Sequence, residues 1–294
     1  MLSVWLIVIR VKFLLASVIA VSVGLAINWR QNSTVDPLAA ILTFAGVMSL
    51  DASVDLLNDY WDYKRGIDTI TKRTKMSGGT GVLPEGLLKP LSVYRVGIGF
   101  LILGSVIGFY FVLTYGIIIA SILGFAILSI CFYSTKIVDS GLAEFFVALK
   151  GTMIVLGTYF IQSNQVTIES ILGGIVVGVL SSLVLFIASF PDHDADKSKG
   201  RKTLVIVVGK KNATSLFWVF PTISYSAIIL GISIGVFPVL SLITLFSIPL
   251  GVKAGLGLKR NFNSVDELMP SMSSTLMFSR ITGVLFVLSF LASF

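Results

Sequence analysis

Residues 51–68 read DASVDLLNDYWDYKRGID and close a long apolar segment. If a helix that begins near Pro37 continues through this stretch, a rotation of about 100° per residue places four polar side chains on one face. Those side chains are Asp51, Asp55, Asn58 and Asp62. The C-terminal end of a helix is already partly negative, so carboxylates there are unfavourable unless a cation lies among them. The stretch therefore predicts a site that binds positive charge.

The composition is that of an integral membrane protein. Hydrophobic residues make up 55% of the 294 residues and charged residues 13%, and the mean hydropathy is +0.95. The net charge of +7 is interpreted as loop basicity facing anionic partners at a membrane, and no nucleic-acid partner is expected. The single cysteine, Cys131, provides neither a disulfide framework nor a thiolate metal site.

Apolar stretches long enough to cross about 30 Å of hydrocarbon recur along the whole chain. They lie near residues 11–29, 36–60, 90–113, 115–133, 140–162, 166–190, 212–232, 236–258 and 273–293. We therefore predict an all-α integral membrane protein, formed by a single polytopic domain over residues 1–294 with nine transmembrane helices.

Only two connections are long, residues 63–89 and 191–211, and both follow an even-numbered span. They emerge on the side of the N-terminus, which also carries nearly all the loop lysines and arginines. By the positive-inside rule, the N-terminus and both long loops are expected to be cytoplasmic in a multi-pass protein of the plasma membrane. Arg30 is the one basic residue of the opposite connections, and we expect it to tolerate substitution.

The second long connection contains a second acidic cluster, because residues 190–203 read FPDHDADKSKGRKT. Two carboxylate clusters on one membrane face, each followed by lysine and arginine, suit a diphosphate chelated by Mg²⁺, since Mg²⁺ is commonly held by one or two carboxylates while phosphates complete its shell. The alternative is that the second cluster is an ordinary solvated loop. That alternative does not cover Asp51 and Asp55, because carboxylates inside a spanning segment normally face a cavity or a partner.

NDYWDYKRGID (residues 58–68) resembles the first aspartate-rich motif of the UbiA superfamily of membrane prenyltransferases, and DHDADKSKG (residues 192–200) resembles the second, DxxxDxxxG. Further resemblance comes from Arg10 before the first span, YSTK at 133–136, and GLAEFF and VLGTYFIQ in the fifth span. The resemblance implies a bundle of nine helices around a central cavity, capped by two cytoplasmic aspartate-rich loops and open sideways to membrane lipid.

The activity implied by this resemblance is the Mg²⁺-dependent transfer of a polyprenyl group from an allylic polyprenyl diphosphate to an aromatic or quinol-precursor acceptor. The form NDYxDYxxGxD, together with VLPEGLLKP at 82–90, is most similar to the branch that prenylates 1,4-dihydroxy-2-naphthoate in menaquinone biosynthesis. Alternative acceptors are 4-hydroxybenzoate and geranylgeranylglyceryl phosphate. A secondary transporter is the alternative from another class, since intramembrane charges also mark transport pathways.

The motif residues receive roles from the same resemblance. The predicted metal ligands are Asn58, Asp59, Asp62, Asp68, Asp192 and Asp196. The predicted diphosphate-binding residues are Arg10, Lys136, Arg201 and Lys202. The predicted catalytic residues are Asp55, which orients the acceptor or accepts its proton, and Tyr133 and Lys136. Lys150 stands in an apolar helix, and we expect it to pair with an intramembrane acid, Asp51 or Asp55.

Overall fold

The structure, a computed structural model, describes residues 2–71, 73–74 and 76–293. Within these residues it contains nine segments long and apolar enough to cross a membrane, which confirms the predicted all-α membrane fold. The helices are α1 Leu2–Val8, α2 Val11–Asn32, α3 Pro37–Lys64, α4 Pro90–Tyr115, α5 Ile117–Phe132, α6 Ala143–Ser163, α7 Ile168–Ser198, α8 Leu204–Val208, α9 Lys210–Leu216, α10 Val219–Ser233, α11 Ile248–Asn261 and α12 Val265–Leu291. A π-helical turn, Tyr133–Ile137, and the 3₁₀ segments Val138–Ser140 and Val239–Ser247 complete the helical structure.

The sixth span, α7, continues past the residue at which the sequence predicted its end. The sequence prediction ended this span at residue 190, where the apolar stretch ends, and assigned residues 191–211 to the second long connection. Instead α7 continues to Ser198 with Pro191 inside it. Asp192 and Asp196 therefore lie one turn apart on one helix face, rather than in a loop. The second acidic cluster is a helix end, as the first one is.

The last three spans also differ from their predicted boundaries. The seventh consists of α9 and α10, separated at Phe217–Trp218, and the eighth begins as the 3₁₀ segment Val239–Ser247. The ninth begins at Val265, well before the predicted start at 273, because the hydroxyl of Ser264 accepts a hydrogen bond from the Glu267 N–H and caps the helix. Hydropathy alone misses this polar first turn.

The tightest helix pair is α6 on α7, and glycines permit the close approach. A Cβ atom at Gly178 would lie 2.1 Å from the carbonyl oxygen of Ala148, and one at Gly151 would lie 2.5 Å from the Cα of Gly178. Small residues let backbones approach in this way where no hydrophobic effect separates helix from lipid. This contact fixes the wall of the bundle from which Lys150 projects.

Apolar side chains cover the outside of the bundle. Phe246 is 81% exposed, Ile117 78% and Leu113 74%. Contiguous exposed apolar surface is unfavourable in water, and it is expected where a helix faces hydrocarbon. The outer surface therefore agrees with membrane insertion of all nine segments found in the described residues.

The connection 65–89 folds back over one end of the bundle, which we call the loop end. Its Val82 and Leu83 are buried against Val8 of α1, Leu56 of α3 and Val93 of α4. This small hydrophobic cluster anchors the connection where α3 and α7 end. The loop is thereby held over the two acidic clusters.

The opposite end of the bundle is held by Arg30. Its guanidinium donates to Oε1 of Glu169 at 3.1 Å and to the carbonyl oxygen of Val236 at 3.0 Å. Gln31 donates to the same carboxylate, and the hydroxyl of Tyr159 donates to Gln31. These bonds tie α2 to α7 and to the start of the eighth span. We therefore expect that Arg30 does not tolerate substitution, contrary to the expectation from the sequence.

Replacing Arg30 with alanine is expected to lower the free energy of unfolding by about 1–3 kcal/mol, because the buried Glu169 carboxylate loses its charged donor. The melting temperature of the detergent-purified variant, followed by intrinsic fluorescence, measures the loss. Arg95→Ala is the matched control, because Arg95 is exposed on α4. Equal melting temperatures for the two variants would contradict a structural role for Arg30.

Candidate active site

Asp59, near the C-terminal end of α3, is fully buried and holds two other parts of the chain. Arg10 donates to its Oδ1 at 3.2 Å, and the backbone N–H of Thr80 donates to the same oxygen at 3.2 Å. The hydroxyl of Thr80 donates to Oδ2. Arg10 has a left-handed backbone with φ of 53° between α1 and α2, a conformation uncommon for a residue other than glycine. The break between the two helices directs Arg10 toward α3.

Arg201 lies between the two acidic clusters. It forms ion pairs with Asp62 of α3 and with Asp196 of α7, the second at 3.0 Å between Nη1 and Oδ1. Asn58 donates to the other oxygen of Asp62 at 2.6 Å. The Arg201 side chain is only 8% exposed, so the two ion pairs lie away from solvent. A cation therefore lies among the carboxylates, as the helix-dipole argument requires.

Two carboxylate oxygens of the acidic clusters are buried and lack a hydrogen-bond partner among the described residues: Oδ2 of Asp68 and Oδ1 of Asp192. The other oxygen of Asp192 accepts the N–H of Gly78 at 3.1 Å. Burial raises the pKa of Asp68 to about 8, and the nearby charges of Asp62 and Asp59 raise it further. Such carboxylates need a proton or a cation.

The glycines of the connection 65–89 bring its backbone onto these carboxylates. Gly78 and Gly79 have φ of 79° and 72°, values that favour glycine. A Cβ atom at Gly79 would lie 2.4 Å from Oδ2 of Asp68. The loop therefore covers both clusters with main chain and leaves no space there for a side chain.

The donor set fits a metal ion that is held partly by a ligand. No group of three or more histidine, cysteine or acidic side chains is placed to hold an ion by itself in the part of the chain that the structure describes. Mg²⁺ needs only one or two protein carboxylates when phosphate oxygens and water complete its shell. The unpartnered oxygens of Asp68 and Asp192 provide such carboxylates on opposite sides of the site.

The four predicted diphosphate-binding residues separate into two pairs. Arg10 and Arg201 lie among the carboxylates. Lys202 and Lys136 have exposed side chains, and neither forms an ion pair with the acidic clusters within the described residues. Lys202 was predicted to bind diphosphate because it follows Arg201 in sequence. In the structure the Arg201 side chain is buried among the carboxylates, whereas the Lys202 side chain is exposed. Of the four, the geometry brings together Arg10 and Arg201 only.

Arg65 is a residue that the sequence argument passed over. It donates to the carbonyl oxygen of Ser134 at 2.6 Å and pairs with Asp139 at 2.9 Å. These contacts join the end of α3 to the π-helical turn Tyr133–Ile137, and so they set the position of Tyr133. Sequence reasoning counted Arg65 only as loop charge, because its partners are remote in the chain.

A cavity of about 290 Å³ lies next to the acidic clusters, between α2, α3, α5, α6, α7 and α12. Arg10 and Asn58 line it, so the cavity and the first cluster share a wall. Asp55 and Tyr133 line it as well, as predicted for residues near a reacting group, whereas Lys136 does not. Most of the remaining lining is apolar. The arrangement joins a polar, diphosphate-sized site to an apolar chamber.

The floor of the cavity contains an intramembrane ion pair. Nζ of Lys150 lies 3.0 Å from Oδ1 of Asp51, and the hydroxyl of Ser17 donates to the other oxygen. The expectation that Lys150 pairs with an intramembrane acid is confirmed, with Asp51 as the partner. Asp55 has no such bonded partner among the described residues, and the charges that act on it are those of Arg10, Asp51, Lys150 and Asp59.

Arg280 of α12 also lines the cavity, and sequence reasoning missed it. It donates to the carbonyl oxygen of Lys12. The sequence did contain an indication, because an arginine inside an apolar spanning segment is costly and marks a functional site by default.

Comparison with known proteins agrees with this site. The UbiA prenyltransferase family matches residues 17–289. The 1,4-dihydroxy-2-naphthoate octaprenyltransferase of Escherichia coli is 27% identical over 307 aligned positions, covering 98% of this chain and 95% of the relative. The enzyme of the same name from Bacillus subtilis is 24% identical over 265 positions, covering 88% of this chain and 83% of the relative.

A solved structure shares the fold. The UbiA homologue of Archaeoglobus fulgidus, solved with DMAPP and Mg²⁺ bound, superimposes with a TM-score of 0.66 at 13% identity, covering 96% of this chain and 98% of that one. The helical bundle is therefore that of the UbiA membrane enzymes. Because the family match extends over all but the two ends of the chain, this protein belongs to the UbiA prenyltransferase family.

Proposed function

We propose that this protein transfers a polyprenyl group from an allylic polyprenyl diphosphate to 1,4-dihydroxy-2-naphthoate and releases diphosphate. The observation that carries the proposal is the junction of the two acidic helix ends, bridged by Arg201, with an apolar cavity that contains Asp55. The two naphthoate-prenylating relatives support the choice of acceptor. Membership of a prenyltransferase family leaves the transporter alternative without support.

Mg²⁺ is the cofactor that this site would take. The residues proposed to hold it are Asn58, Asp59, Asp62 and Asp68 on one side and Asp192 and Asp196 on the other. When bound, the ion supplies positive charge that stabilises the departing diphosphate. Asp68 and Asp192 have the oxygens that are free for this purpose among the described residues. The backbone N–H of Gly78 donates to the carboxylate of Asp192, and that of Thr80 donates to the carboxylate of Asp59, so the loop fixes the position of both groups.

Arg10 and Arg201 are the proposed diphosphate-binding cations. Guanidinium groups donate in a planar fork that matches phosphate oxygens. Both side chains are already fixed by carboxylates, so little reorganisation is needed as charge develops on the leaving group. Preorganised donors of this kind account for much of enzymatic rate enhancement.

The cavity would hold the reacting carbon atoms. Asp55 orients the acceptor or accepts its proton, and the ring of Tyr133 faces the same space and can stabilise an allylic cation. The polyprenyl tail would extend from this cavity between helices toward lipid. Reaction within an apolar chamber also keeps water from the allylic cation.

We further propose that residues 1–294 act as one domain in the plasma membrane, with the loop end on the cytoplasmic side. The basic residues are concentrated at that end, as the positive-inside rule requires. A water-soluble acceptor and Mg²⁺ would then reach the site from the cytoplasm.

A product assay tests the reaction. Detergent-purified protein is incubated with geranylgeranyl diphosphate and Mg²⁺, with 1,4-dihydroxy-2-naphthoate, 4-hydroxybenzoate or geranylgeranylglyceryl phosphate in parallel. Mass spectrometry is expected to detect a prenylated naphthoquinol, and EDTA is expected to abolish it. Product with another acceptor would reject the naphthoate assignment, and absence of product with all three would reject the proposed reaction.

Asp192→Asn and Asp62→Asn are expected to lower kcat on the order of 10²-fold or more, because each removes a carboxylate proposed to hold the Mg²⁺ whose positive charge would stabilise the departing diphosphate. Asp194→Asn is the matched control, since the Asp194 side chain is 84% exposed. Size-exclusion chromatography verifies that all three variants are monodisperse. Near-normal turnover of the first two would reject the metal assignment.

Asp55→Asn is expected to lower kcat by about 10²- to 10⁴-fold, the usual contribution of a proton-accepting group. The KM for geranylgeranyl diphosphate is expected to stay unchanged, because Asp55 makes no contact with Arg201 or the second cluster in the described residues. Steady-state kinetics in both substrates separates the two effects. A raised diphosphate KM with unchanged kcat would move Asp55 out of the acceptor site.

A further inference from the structure

Arg280 is a cation in an otherwise apolar part of a spanning helix. It is the only lysine or arginine of α12, and it lines the central cavity together with Leu276, Ser279 and Gly283 of the same helix. A cation at such a position is costly unless it has a partner or a task. The other two cations of the cavity are each paired with a carboxylate.

Arg10 pairs with Asp59, and Lys150 pairs with Asp51. Arg280 forms no ion pair with any carboxylate of the described residues, and its hydrogen bond goes to the backbone carbonyl oxygen of Lys12. A guanidinium has five N–H donors, so one carbonyl oxygen uses a small part of its capacity. The polar environment of Arg280 is incomplete without an anion.

The charge of the cavity leads to the same requirement. Its other charged side chains are Arg10, Lys150, Asp51 and Asp55, and two of them, Arg10 and Lys150, are already paired with carboxylates. Asp55 and Arg280 are therefore the charged residues of the cavity that have no ion-pair partner among the described residues. An apolar chamber with one unpaired cation and one unpaired carboxylate on its walls favours a largely apolar ligand that carries one negative group and one hydrogen-bond donor.

Among the described residues, Arg280 makes no contact with the proposed diphosphate site. Arg10 and Arg201 contact the acidic clusters, whereas Arg280 contacts neither cluster in the described residues and belongs to a helix on another side of the cavity. Asp55 lines the same cavity from α3. An aromatic acid that enters this space meets Arg280 on one wall and Asp55 on another.

We propose that Arg280 binds the carboxylate of the aromatic acceptor and makes the enzyme selective for acceptors that carry one. This inference rests on the proposed function and adds a specificity-determining residue to it. The planar fork of arginine binds a carboxylate through two parallel hydrogen bonds. The same contact fixes the direction of the ring, so that a hydroxyl group is presented toward Asp55.

The test compares 1,4-dihydroxy-2-naphthoate with 1,4-dihydroxynaphthalene, which lacks the carboxylate. Dissociation constants for both are measured by equilibrium dialysis against the detergent-purified full chain. The wild-type protein is expected to bind the acid about 10- to 100-fold more tightly, the usual effect of a charged hydrogen-bonding partner. Arg280→Gln is expected to remove that difference, and Arg280→Lys to restore part of it.

Kinetics provides a second readout. Arg280→Gln is expected to raise the KM for the acceptor by the same factor and to lower kcat as well, because the ring loses its orientation toward Asp55, while the KM for geranylgeranyl diphosphate changes by less than about twofold. Arg95→Gln removes an exposed arginine of α4 outside the cavity and is expected to change none of these values.

Equal affinity of the wild-type protein for the two naphthalenes would overturn the proposal without any variant. A raised KM for geranylgeranyl diphosphate with an unchanged acceptor KM would assign Arg280 to the diphosphate instead. If the wild-type protein makes no product with any acceptor, the proposed function fails, and dialysis still decides whether Arg280 recognises a carboxylate.

Discussion

The ion pairs of Arg201 with Asp62 and Asp196 are the interaction on which the loop end depends. α3 and α7 both end in carboxylates, and the partial negative charge of each helix terminus adds to the repulsion between them. Arg201 contacts Asp62 on one helix and Asp196 on the other, and thereby holds both ends at one point. Removing one partner of a buried pair leaves an uncompensated charge, which is strongly destabilising. The connection 65–89 covers the ends of α3 and α7, whose relative position is held by Arg201.

Several charged side chains in the spanning segments are paired with a side chain of opposite charge. Lys150 is neutralised by Asp51, and Arg30 by Glu169. Each pair joins helices that are distant in sequence, so it contributes to register as well as to charge balance. Arg280 is different, because its contact is a neutral carbonyl. A charged side chain without an ion-pair partner in the fold is better evidence for a charged ligand than a side chain that the fold already neutralises.

The fold was largely predictable because hydropathy is a local property, so each spanning segment can be recognised from its own residues alone. The acid stripe and the pairing of Lys150 followed from helical periodicity and from the cost of intramembrane charge. The missed features all depend on contacts across the chain. Pro191 remains inside a helix whose end is held by Arg201, and Arg30 acquires a partner 139 positions away. Adjacency also misplaced Lys202, since no local pattern distinguishes it from Arg201.

Reaction type and acceptor identity reside in different parts of the molecule. In the proposed function, the acidic helix ends and their arginines bind the diphosphate, which every donor of this class carries, so they carry no information about the acceptor. The cavity would hold the acceptor, and its charged residues lie outside the aspartate motifs. Function is determined by sites built on a fold rather than by the fold itself. At 24–27% identity to naphthoate-prenylating relatives, the acceptor is therefore best argued from Asp55 and Arg280, the two charged residues of the cavity that have no ion-pair partner among the described residues.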